Sequence, residues 1–274
     1  MPLRSPTERY LEDFHQRLPG TTSAAFADLA TEKHSCSYSA LTALVPTTGA
    51  PLAVLDLACG DGYLLSQLAH RQQPGLQLVG VDMSQAELDA ARSRLPGDVI
   101  LLKERAQALS VATASIDILL SHMAIMLMDD VEQVLREVQR VLRRDGTFAV
   151  LIGRTFLLGA VGTAFMQAFR PIAEEDRLPT LPMGDPRTRS EAGWQALLRT
   201  HFSDISIEDI DVHWHPQPEA LWGSLKDTYD IDRLTAAAKA RLKERFLASV
   251  ADLRQNDGTV PTGWGLRLIT ARRR

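Results

Sequence analysis

The residues with the clearest chemical potential lie in one short run, VLDLACGDG, at positions 54–62. The run places the carboxyl group of Asp56 near the end of an apolar segment and puts Gly60 and Gly62 where a helix would begin. Glycines at such a turn let a ligand approach the backbone N–H groups at the start of a helix. The combination of an acid with two glycines predicts a binding site for a small molecule that contacts the main chain.

The acids at this turn distinguish between two classes of ligand. A dinucleotide-binding turn needs a third small residue where this chain has Leu65, and Asp56 and Asp61 would repel its pyrophosphate. The same acids favour S-adenosylmethionine, whose sulfonium and ammonium groups are cationic and whose carboxylate can accept bonds from backbone N–H groups. The turn therefore predicts S-adenosylmethionine as the cofactor rather than a nicotinamide dinucleotide.

A further acid, Asp82, ends the next apolar run, 22 positions after Gly60. An acidic side chain at the end of the second strand can accept hydrogen bonds from both hydroxyl groups of a ribose. The alternative is that Asp82 only complements the N-terminus of the following helix, beside Ser84. Because the glycine turn and the acid occur together, we expect Asp82 to bind the ribose.

S-adenosylmethionine is a methyl donor, and methyl transfer from it to a phenol or an alcohol requires the removal of a proton from the acceptor. Histidine is the side chain best suited to remove this proton near neutral pH. His122 follows the fourth apolar run, next to the expected cofactor edge, and is the first candidate for this base. The alternative is a histidine that only shapes the pocket. His215, which follows Trp214, is the second candidate, unless it belongs to a surface turn before Pro216. The histidines and acids lack the spacing of a metal site, so no metal is expected.

The composition of the 274 residues limits the partners of the chain. Thirty Lys and Arg against 34 Asp and Glu give a net charge of −4, which provides no general positive field for a nucleic acid. Two cysteines are too few for a disulfide framework and fit a reducing compartment. The N-terminus lacks the apolar stretch of a signal peptide, and the most apolar window, 118–128, is shorter than the ~20 residues that cross a bilayer. We expect a cytoplasmic protein that binds neither nucleic acid nor membrane, and the sequence does not indicate an oligomeric state.

Alternating apolar runs and helix-like segments must position these residues. Five short apolar runs are separated by connections long enough for a crossover, and they lie at 52–57, 76–81, 99–103, 116–120 and 147–152. Ser84 with Glu87 predicts a capping box at the start of the second helix. This order predicts a doubly wound α/β fold that binds ligands beyond the carboxyl ends of its strands. Two later runs, 205–214 and 265–271, complete a mostly parallel, seven-stranded sheet.

The same pattern divides the chain into four parts. Residues 1–50 are expected to form a helical cap that packs on the sheet or covers its ligand edge. Residues 51–153 form the α/β core that binds S-adenosylmethionine. Residues 154–189, an apolar helical stretch followed by a Pro-rich charged segment, form a lid insertion, and residues 190–274 complete the sheet and supply substrate-facing helices.

These motifs resemble those of the class I S-adenosylmethionine-dependent methyltransferases, which have a Rossmann-like fold. VLDLACGDG is similar to their first motif and LVGVDMS to their second, and SIDILLSHMAIMLMDDVEQVLREVQRVLRRDGTFAVLI resembles the later ones. The resemblance covers about residues 35–152 and is to the small-molecule branch, which includes quinone and natural-product methyltransferases. It implies in-line methyl transfer to a small-molecule metabolite, with secondary-metabolite biosynthesis as one candidate setting. The alternative is a catalytically silent S-adenosylmethionine-binding partner or regulatory protein.

The resemblance also implies roles for individual residues. Around the methionine part of the cofactor it places Asp56, Ala58, Gly60 and Gly62, with Asp82 on the ribose and Met83 on the adenine. Tyr38 resembles a tyrosine that closes over the cofactor carboxylate, the alternative being an aromatic residue that packs the N-terminal helices. Ser121, at the expected cofactor edge beside His122, is also expected to contact the cofactor.

Two positions depart from the pattern of the family. Ala58 stands where the family often has glycine, a small change that we expect the turn to tolerate. Arg105 and Ala106 stand where the family commonly has an Asp-Ala pair that contacts the amino group and a ring nitrogen of adenine. Ala106 can still donate its backbone N–H at this site, but the guanidinium of Arg105 has no acceptor. We therefore expect Arg105 to stack on a ring or to point away from the adenine.

Overall fold

One mixed sheet lies at the centre of the computed structural model, which describes residues 4–274. Its strands are β1 Leu52–Leu57, β2 Leu76–Asp82, β3 Ile100–Lys103, β4 Ile116–His122, β5 Leu142–Thr155, β6 Phe202–Trp214 and β7 Thr262–Arg273. Their order across the sheet is β3-β2-β1-β4-β5-β7-β6, and β7 runs antiparallel to both of its neighbours. The prediction of a mostly parallel, seven-stranded α/β sheet is confirmed.

The central strands are buried on both faces because their residues are apolar almost without interruption. Val54 and Leu55 of β1 are both fully buried, and they belong to two separate clusters of core side chains, one on each face of the sheet. β1 pairs in parallel with β2 on one side and with β4 on the other, so the strand order reverses at β1. Ligands bind beyond the carboxyl ends of the strands at such a reversal. Asp56, Asp82 and His122 all lie at this edge.

Helices cover both faces of the sheet. They are α1 Pro6–Arg17, α2 Thr21–Phe26, α3 Ser37–Thr42, α4 Tyr63–Ala69, α5 Gln85–Arg94, α6 Val131–Val141, α7 Gly159–Glu175, α8 Glu191–Leu198, α9 Pro218–Leu225, α10 Tyr229–Asp232 and α11 Ala236–Ser249. α6 shows why such segments fold as helices, since its apolar residues recur every three or four positions and all point into the core. Among residues 4–274, no helix is long and apolar enough to cross a membrane.

The N-terminal helix α1 lies over the carboxyl edge of the sheet. Its first turn is capped by Ser5, whose Oγ accepts a hydrogen bond from Glu8 N at 3.0 Å. Glu8 and Leu11 belong to its buried face. Thr7 is also buried, and its Oγ1 donates to Pro182 O at 2.6 Å, so α1 also contacts the segment that follows α7. The division of the chain into cap, core, lid insertion and C-terminal part stays a prediction.

Candidate functional site

A cavity lies at the carboxyl ends of β1, β2 and β4, where the strand order reverses. The segments after these strands and after β3 line one side, and residues of α1 and α10 line the other. Nine of the twelve predicted site residues lie in its wall: Tyr38, Asp56, Ala58, Gly60, Asp82, Met83, Arg105, Ala106 and His122.

The glycine turn after β1 is held by hydrogen bonds to β2. Cys59 N donates to Val81 O at 3.0 Å, and Gly60 N donates to Asp82 Oδ2 at 2.9 Å. Ala58 and Gly60 have left-handed φ angles of 59° and 52°. Glycine adopts this conformation freely, whereas alanine is strained in it. Both residues lie in the wall of the cavity.

Asp82 connects the glycine turn to the start of α5. In addition to the bond from Gly60 N, its Oδ1 accepts a bond from Ser84 N at 2.9 Å. Burial raises the pKa of Asp82, and the two backbone donors oppose this rise. Each carboxylate oxygen has a second lone pair, so Asp82 can accept further bonds from a ligand in the cavity. Asp82 therefore complements the N-terminus of α5, which was one of the two predicted roles. It also lines the cavity, as the other predicted role, ribose binding, requires.

Asp56 is buried at the end of β1, and its Oδ1 has no hydrogen-bond partner within residues 4–274. A buried polar atom without a partner costs about 1–3 kcal/mol. Burial, with smaller contributions from Asp82 and Asp61, raises the pKa of Asp56 to about 8. A cationic or hydrogen-bond-donating group in the cavity would supply the missing partner and favour the ionised carboxylate.

His122 lies among aromatic rings at the end of β4. Its ring stacks on Tyr38, with the two ring centroids 3.7 Å apart, and lies edge-to-face with Phe26 at 5.7 Å. Its Nε2 is 2.9 Å from Ser37 Oγ, and its Nδ1 has no partner in the described part of the chain. Burial lowers the pKa of His122 to about 3. A histidine with this pKa is neutral at physiological pH and is a weak base, which favours the pocket-shaping alternative.

Glu87 of α5 anchors the helix that covers the cavity. Its Oε1 is 2.7 Å from His15 Nδ1, and its Oε2 accepts a bond from Gly20 N at 2.9 Å. His15 Nε2 is 3.1 Å from the hydroxyl of Tyr229 on α10. All four residues line the cavity, which Asp82 also lines. These bonds connect α1, the turn before α2, and α10 to the Rossmann-like core.

Arg105 follows β3, and its guanidinium points to α1. Its Nε donates to Glu8 Oε1 at 3.2 Å, and its Nη2 donates to the same oxygen. Gln107 Nε2 also donates to Glu8 Oε1, at 3.4 Å. Glu8 of α1 therefore holds the guanidinium of Arg105 in the wall of the cavity. It does not stack on an aromatic ring of the described chain.

Three predicted site residues, Gly62, Ser121 and His215, lie outside the cavity wall. Gly62 begins α4, where an added Cβ would lie 2.8 Å from Leu95 Cδ1, so the glycine permits the close packing of α4 on α5. The Ser121 hydroxyl donates to Leu57 O at 2.7 Å and is satisfied within the sheet. His215 is exposed after β6, and three strands separate β6 from β1.

The wall also contains residues that the sequence did not indicate as part of the site, among them Glu8, Leu11, His15, Ser23, Glu87 and Tyr229. Glu87 was expected to close a capping box with Ser84. Ser84 Oγ does accept a bond from Glu87 N at 3.4 Å, but the Glu87 carboxylate turns to α1 instead. The amphipathic pattern of α1 was the available signal for a covering helix, but it did not indicate what α1 covers.

The cavity wall is acidic. Six carboxyl groups line it, those of Glu8, Asp56, Asp61, Asp82, Glu87 and Glu104. Three of them contact a basic side chain, in the pairs Glu8–Arg105, Glu87–His15 and Asp61–Arg94. Among the described lining residues, Arg105 is the only Lys or Arg, and it is paired. The three remaining carboxyl groups favour a cationic ligand.

These features fit S-adenosylmethionine. Asp56 Oδ1 lacks a partner beside the turn, the left-handed turn lies in the cavity wall, and Asp82 retains acceptor capacity. Among the described residues, no group of three or more His, Cys, Asp or Glu is arranged to hold a metal ion.

Several known proteins with similar sequences are named as methyltransferases. Residues 55–150 match a family model described as a methyltransferase domain. The chain is 34% identical over 223 residues to malonyl-[acyl-carrier protein] O-methyltransferase 1 of Coxiella burnetii, covering 77% of this chain and 70% of that protein. It is 33% identical over 102 residues to demethylmenaquinone methyltransferase of Lactobacillus johnsonii, covering 35% of this chain and 42% of that one.

A solved structure shows the same fold. Phosphoethanolamine N-methyltransferase 2 of Haemonchus contortus, in complex with phosphomonomethylethanolamine and S-adenosylhomocysteine, aligns with a TM-score of 0.56 at 15% identity. The alignment covers 96% of this chain and 59% of that one.

The chain belongs to the class I S-adenosylmethionine-dependent methyltransferases, and S-adenosylmethionine is the cofactor of this family. The predicted family and cofactor are thereby confirmed. The matched segments span 42% and 58% of the length of two curated relatives, the demethylmenaquinone enzyme and a malonyl-[acyl-carrier protein] O-methyltransferase of Legionella pneumophila.

Proposed function

We propose that this chain transfers a methyl group from S-adenosylmethionine to a small, uncharged and largely apolar metabolite. The observation that carries the proposal is the charge of the cavity wall, where three carboxyl groups lack a basic partner and Arg105 is already paired. Much of the remaining wall is apolar, including Leu11, Met123, Leu127 and Met128. Such a wall suits a cationic cofactor together with a neutral acceptor.

Residues of the core hold the cofactor in this proposal. Asp56, Ala58 and Gly60 surround its methionine part, with Tyr38 closing over the carboxylate. Asp82 binds the ribose hydroxyls, and Met83 and Ala106 contact the adenine. When bound, S-adenosylmethionine supplies a methyl group on a positively charged sulfur, open to in-line attack. The chain itself contributes position and the exclusion of water, since α1 and α10 cover the cavity.

The neutral state of His122 limits the acceptors that the site can use. Because the pKa of His122 is about 3, this residue does not take up a proton near neutral pH. The acceptor must then be nucleophilic without it, as an acidic phenol, an enol or an electron-rich ring carbon is. We expect the pH profile of the reaction to show no step near the ordinary histidine pKa of about 6.5.

The two kinds of curated relative differ in the acceptor that their names give. The Coxiella protein is named for a malonyl group on acyl-carrier protein, and the Lactobacillus protein for demethylmenaquinone. A malonyl carboxylate would need a basic partner, and the single Arg of the described wall is bound to Glu8. The cavity of this chain therefore favours a neutral, quinol-like acceptor over a carboxylate.

The test is a transfer assay with S-adenosylmethionine labelled in its methyl group. The purified chain is given neutral quinols and phenols in one set and malonyl thioesters in the other, and methylated products are identified by mass spectrometry. We expect product in the first set and none in the second. Transfer to malonyl thioesters alone would contradict the proposal. Saturable cofactor binding without transfer to any acceptor would favour the silent binding partner.

Further predictions about the chain's setting belong to this proposal. A role in secondary-metabolite biosynthesis and a cytoplasmic location stay predictions. The net charge of −4 supports small molecules rather than nucleic acids as acceptors.

A further inference from the structure

The adenine end of the cavity presents a problem of hydrogen-bond chemistry. The amino group of adenine is a donor and needs an acceptor, but Arg105 offers only donors. Arg105, Ala106 and Gln107 line the wall after β3, on the far side of Asp82 from the glycine turn. A ligand whose ribose lies at Asp82 and whose methionine part lies at the turn therefore has its base near these residues.

We infer that Glu8, on α1, supplies the acceptor for the adenine amino group and that Arg105 positions the Glu8 carboxylate. The inference rests on the proposed placement of the cofactor in the cavity. Glu8 is buried and lines the cavity together with Arg105, Ala106 and Gln107. The segment after β3 has Arg105 where an acid is expected, and Glu8 of the covering helix α1 provides that acid instead.

The two carboxylate oxygens of Glu8 accept different numbers of hydrogen bonds. Oε1 accepts bonds from Arg105 Nε, Arg105 Nη2 and Gln107 Nε2, so its lone pairs are used. Within the described residues, Oε2 accepts one long bond, from Ser5 N at 3.4 Å. A carboxylate has about four acceptor sites, so Oε2 keeps capacity for a donor from the ligand.

Glu104 is the other acid near this end of the cavity. It is half-buried, and its Oε2 accepts a bond from Ser110 N at 2.8 Å, within its own loop. Glu8 is more buried, and two side chains fix its carboxylate. A preorganised acceptor loses less freedom when it binds a ligand, which favours Glu8 over Glu104.

This arrangement makes the covering helix part of base recognition. An adenosyl ligand bonds to Glu8 and so holds α1 in place. An inosyl ligand has a carbonyl oxygen in place of the amino group, which the carboxylate repels. Discrimination between the two bases then depends on α1 rather than on the strand segment alone.

The experiment measures the dissociation constants of S-adenosylhomocysteine and S-inosylhomocysteine by calorimetry, without any methyl transfer. We expect the wild-type chain to prefer the adenosyl compound by about 10- to 100-fold, as for a hydrogen bond to a charged group. Glu8→Gln should reduce this preference to less than about threefold, because an amide can also donate to the inosyl oxygen. The matched control is Glu12→Gln on the same helix, which removes a salt bridge with Arg4 outside the cavity and should retain the wild-type preference.

Each outcome decides the inference. An unchanged preference in Glu8→Gln, or its loss in Glu104→Gln instead, would overturn it. Failure of the wild-type chain to bind either compound would contradict the proposed function instead. If Glu8→Gln does not fold, hydrogen exchange of the wild-type chain decides: the adenosyl compound should protect residues 6–17 of α1 at least tenfold more than the inosyl compound at equal saturation. Equal protection by both would contradict the role of Glu8.

Discussion

Asp56 shows how burial prepares a residue for a cationic ligand. Its carboxyl group lacks a partner for Oδ1 within the described chain, and burial raises its pKa from 3.8 to about 8. In the free protein near neutral pH, this group therefore carries a proton for most of the time. A cation placed beside it favours the ionised form and lowers its pKa. Binding of the cofactor must then be coupled to the release of a proton.

We predict that S-adenosylmethionine binds more tightly as the pH rises towards about 8, by up to tenfold per pH unit, and that the gain ends above it. The sign follows from the raised pKa, since the free protein must give up a proton to bind below about pH 8. Calorimetry at about pH 7 in two buffers with different heats of ionisation measures the proton released. Asp56→Asn is the control, with the same shape and no titration. Identical heats in the two buffers would contradict the prediction.

The same raised pKa has a consequence for the free protein. Between its unfolded value of 3.8 and its folded value of about 8, Asp56 holds a proton more tightly in the folded state than in the unfolded state. Its contribution to stability is complete below the lower value and is lost as the pH rises through the upper one. His122 acts in the opposite direction, since burial lowers its folded pKa to about 3, below its ordinary value of 6.5, and this favours the folded state at higher pH.

At the scale of elements, the glycine turn and the covering helix differ in how far the sequence predicts them. The turn is local: Asp56, Gly60 and Asp82 stand at the ends of two neighbouring strands, and their spacing indicates a ligand edge. The contacts of α1 are not local. Glu8 and Arg105 are 97 positions apart, and no periodicity connects them. Glu87 was expected to bond within its own helix turn, but its carboxylate contacts His15 Nδ1 on α1 and accepts a bond from Gly20 N, which precedes α2.

We predict that Glu87→Gln loosens α1 while the sheet stays folded. The amide keeps the size of the side chain but loses the charge that binds Gly20 N and His15, at a cost of about 1.5–3 kcal/mol. Hydrogen exchange of residues 6–17 should become about 10- to 100-fold faster, with little change in β1 and β4. Glu132→Gln is the matched control, because Glu132, on α6, forms an exposed salt bridge with Arg187. Unchanged exchange in α1 would show that other contacts hold the helix.

At the scale of the whole molecule, the sheet could be predicted because most of its strands coincide with a distinct apolar run in the sequence. The central runs are mostly apolar and separated by helical segments, which leaves few possible topologies. The place of the last strand in the sheet was harder to predict from the sequence, because β7 is antiparallel and lies between β5 and β6. His215 illustrates the difference: it lies at the end of a strand that runs parallel to β5, yet three strands separate it from β1.

The charge of the cavity as a whole leads to a last prediction. Asp56, Asp82 and Glu104 line one cavity without a basic partner, and Asp56 lies beside the glycine turn, so we expect the protein to favour a positive charge at the position of the sulfur. An analogue with a protonated amine in place of the sulfonium should therefore bind at least about tenfold, or 1.4 kcal/mol, more tightly than S-adenosylhomocysteine, which has the same skeleton without that charge. This difference in binding free energy is smaller than the interaction energy of ~4 kcal/mol between two unit charges at about 4 Å near a protein surface.

Competition binding of the two compounds measures this preference, and Asp56→Asn should reduce it because that variant removes a carboxyl group from the wall. Asp89→Asn, an exposed change on α5, should leave it unchanged. Because Asp56 is buried, added salt should alter the preference much less than it alters an exposed ion pair. Equal affinity for the charged and uncharged compounds would mean that Arg105, Arg94 and His15 already balance the acids, and the cavity would then not select for a cation.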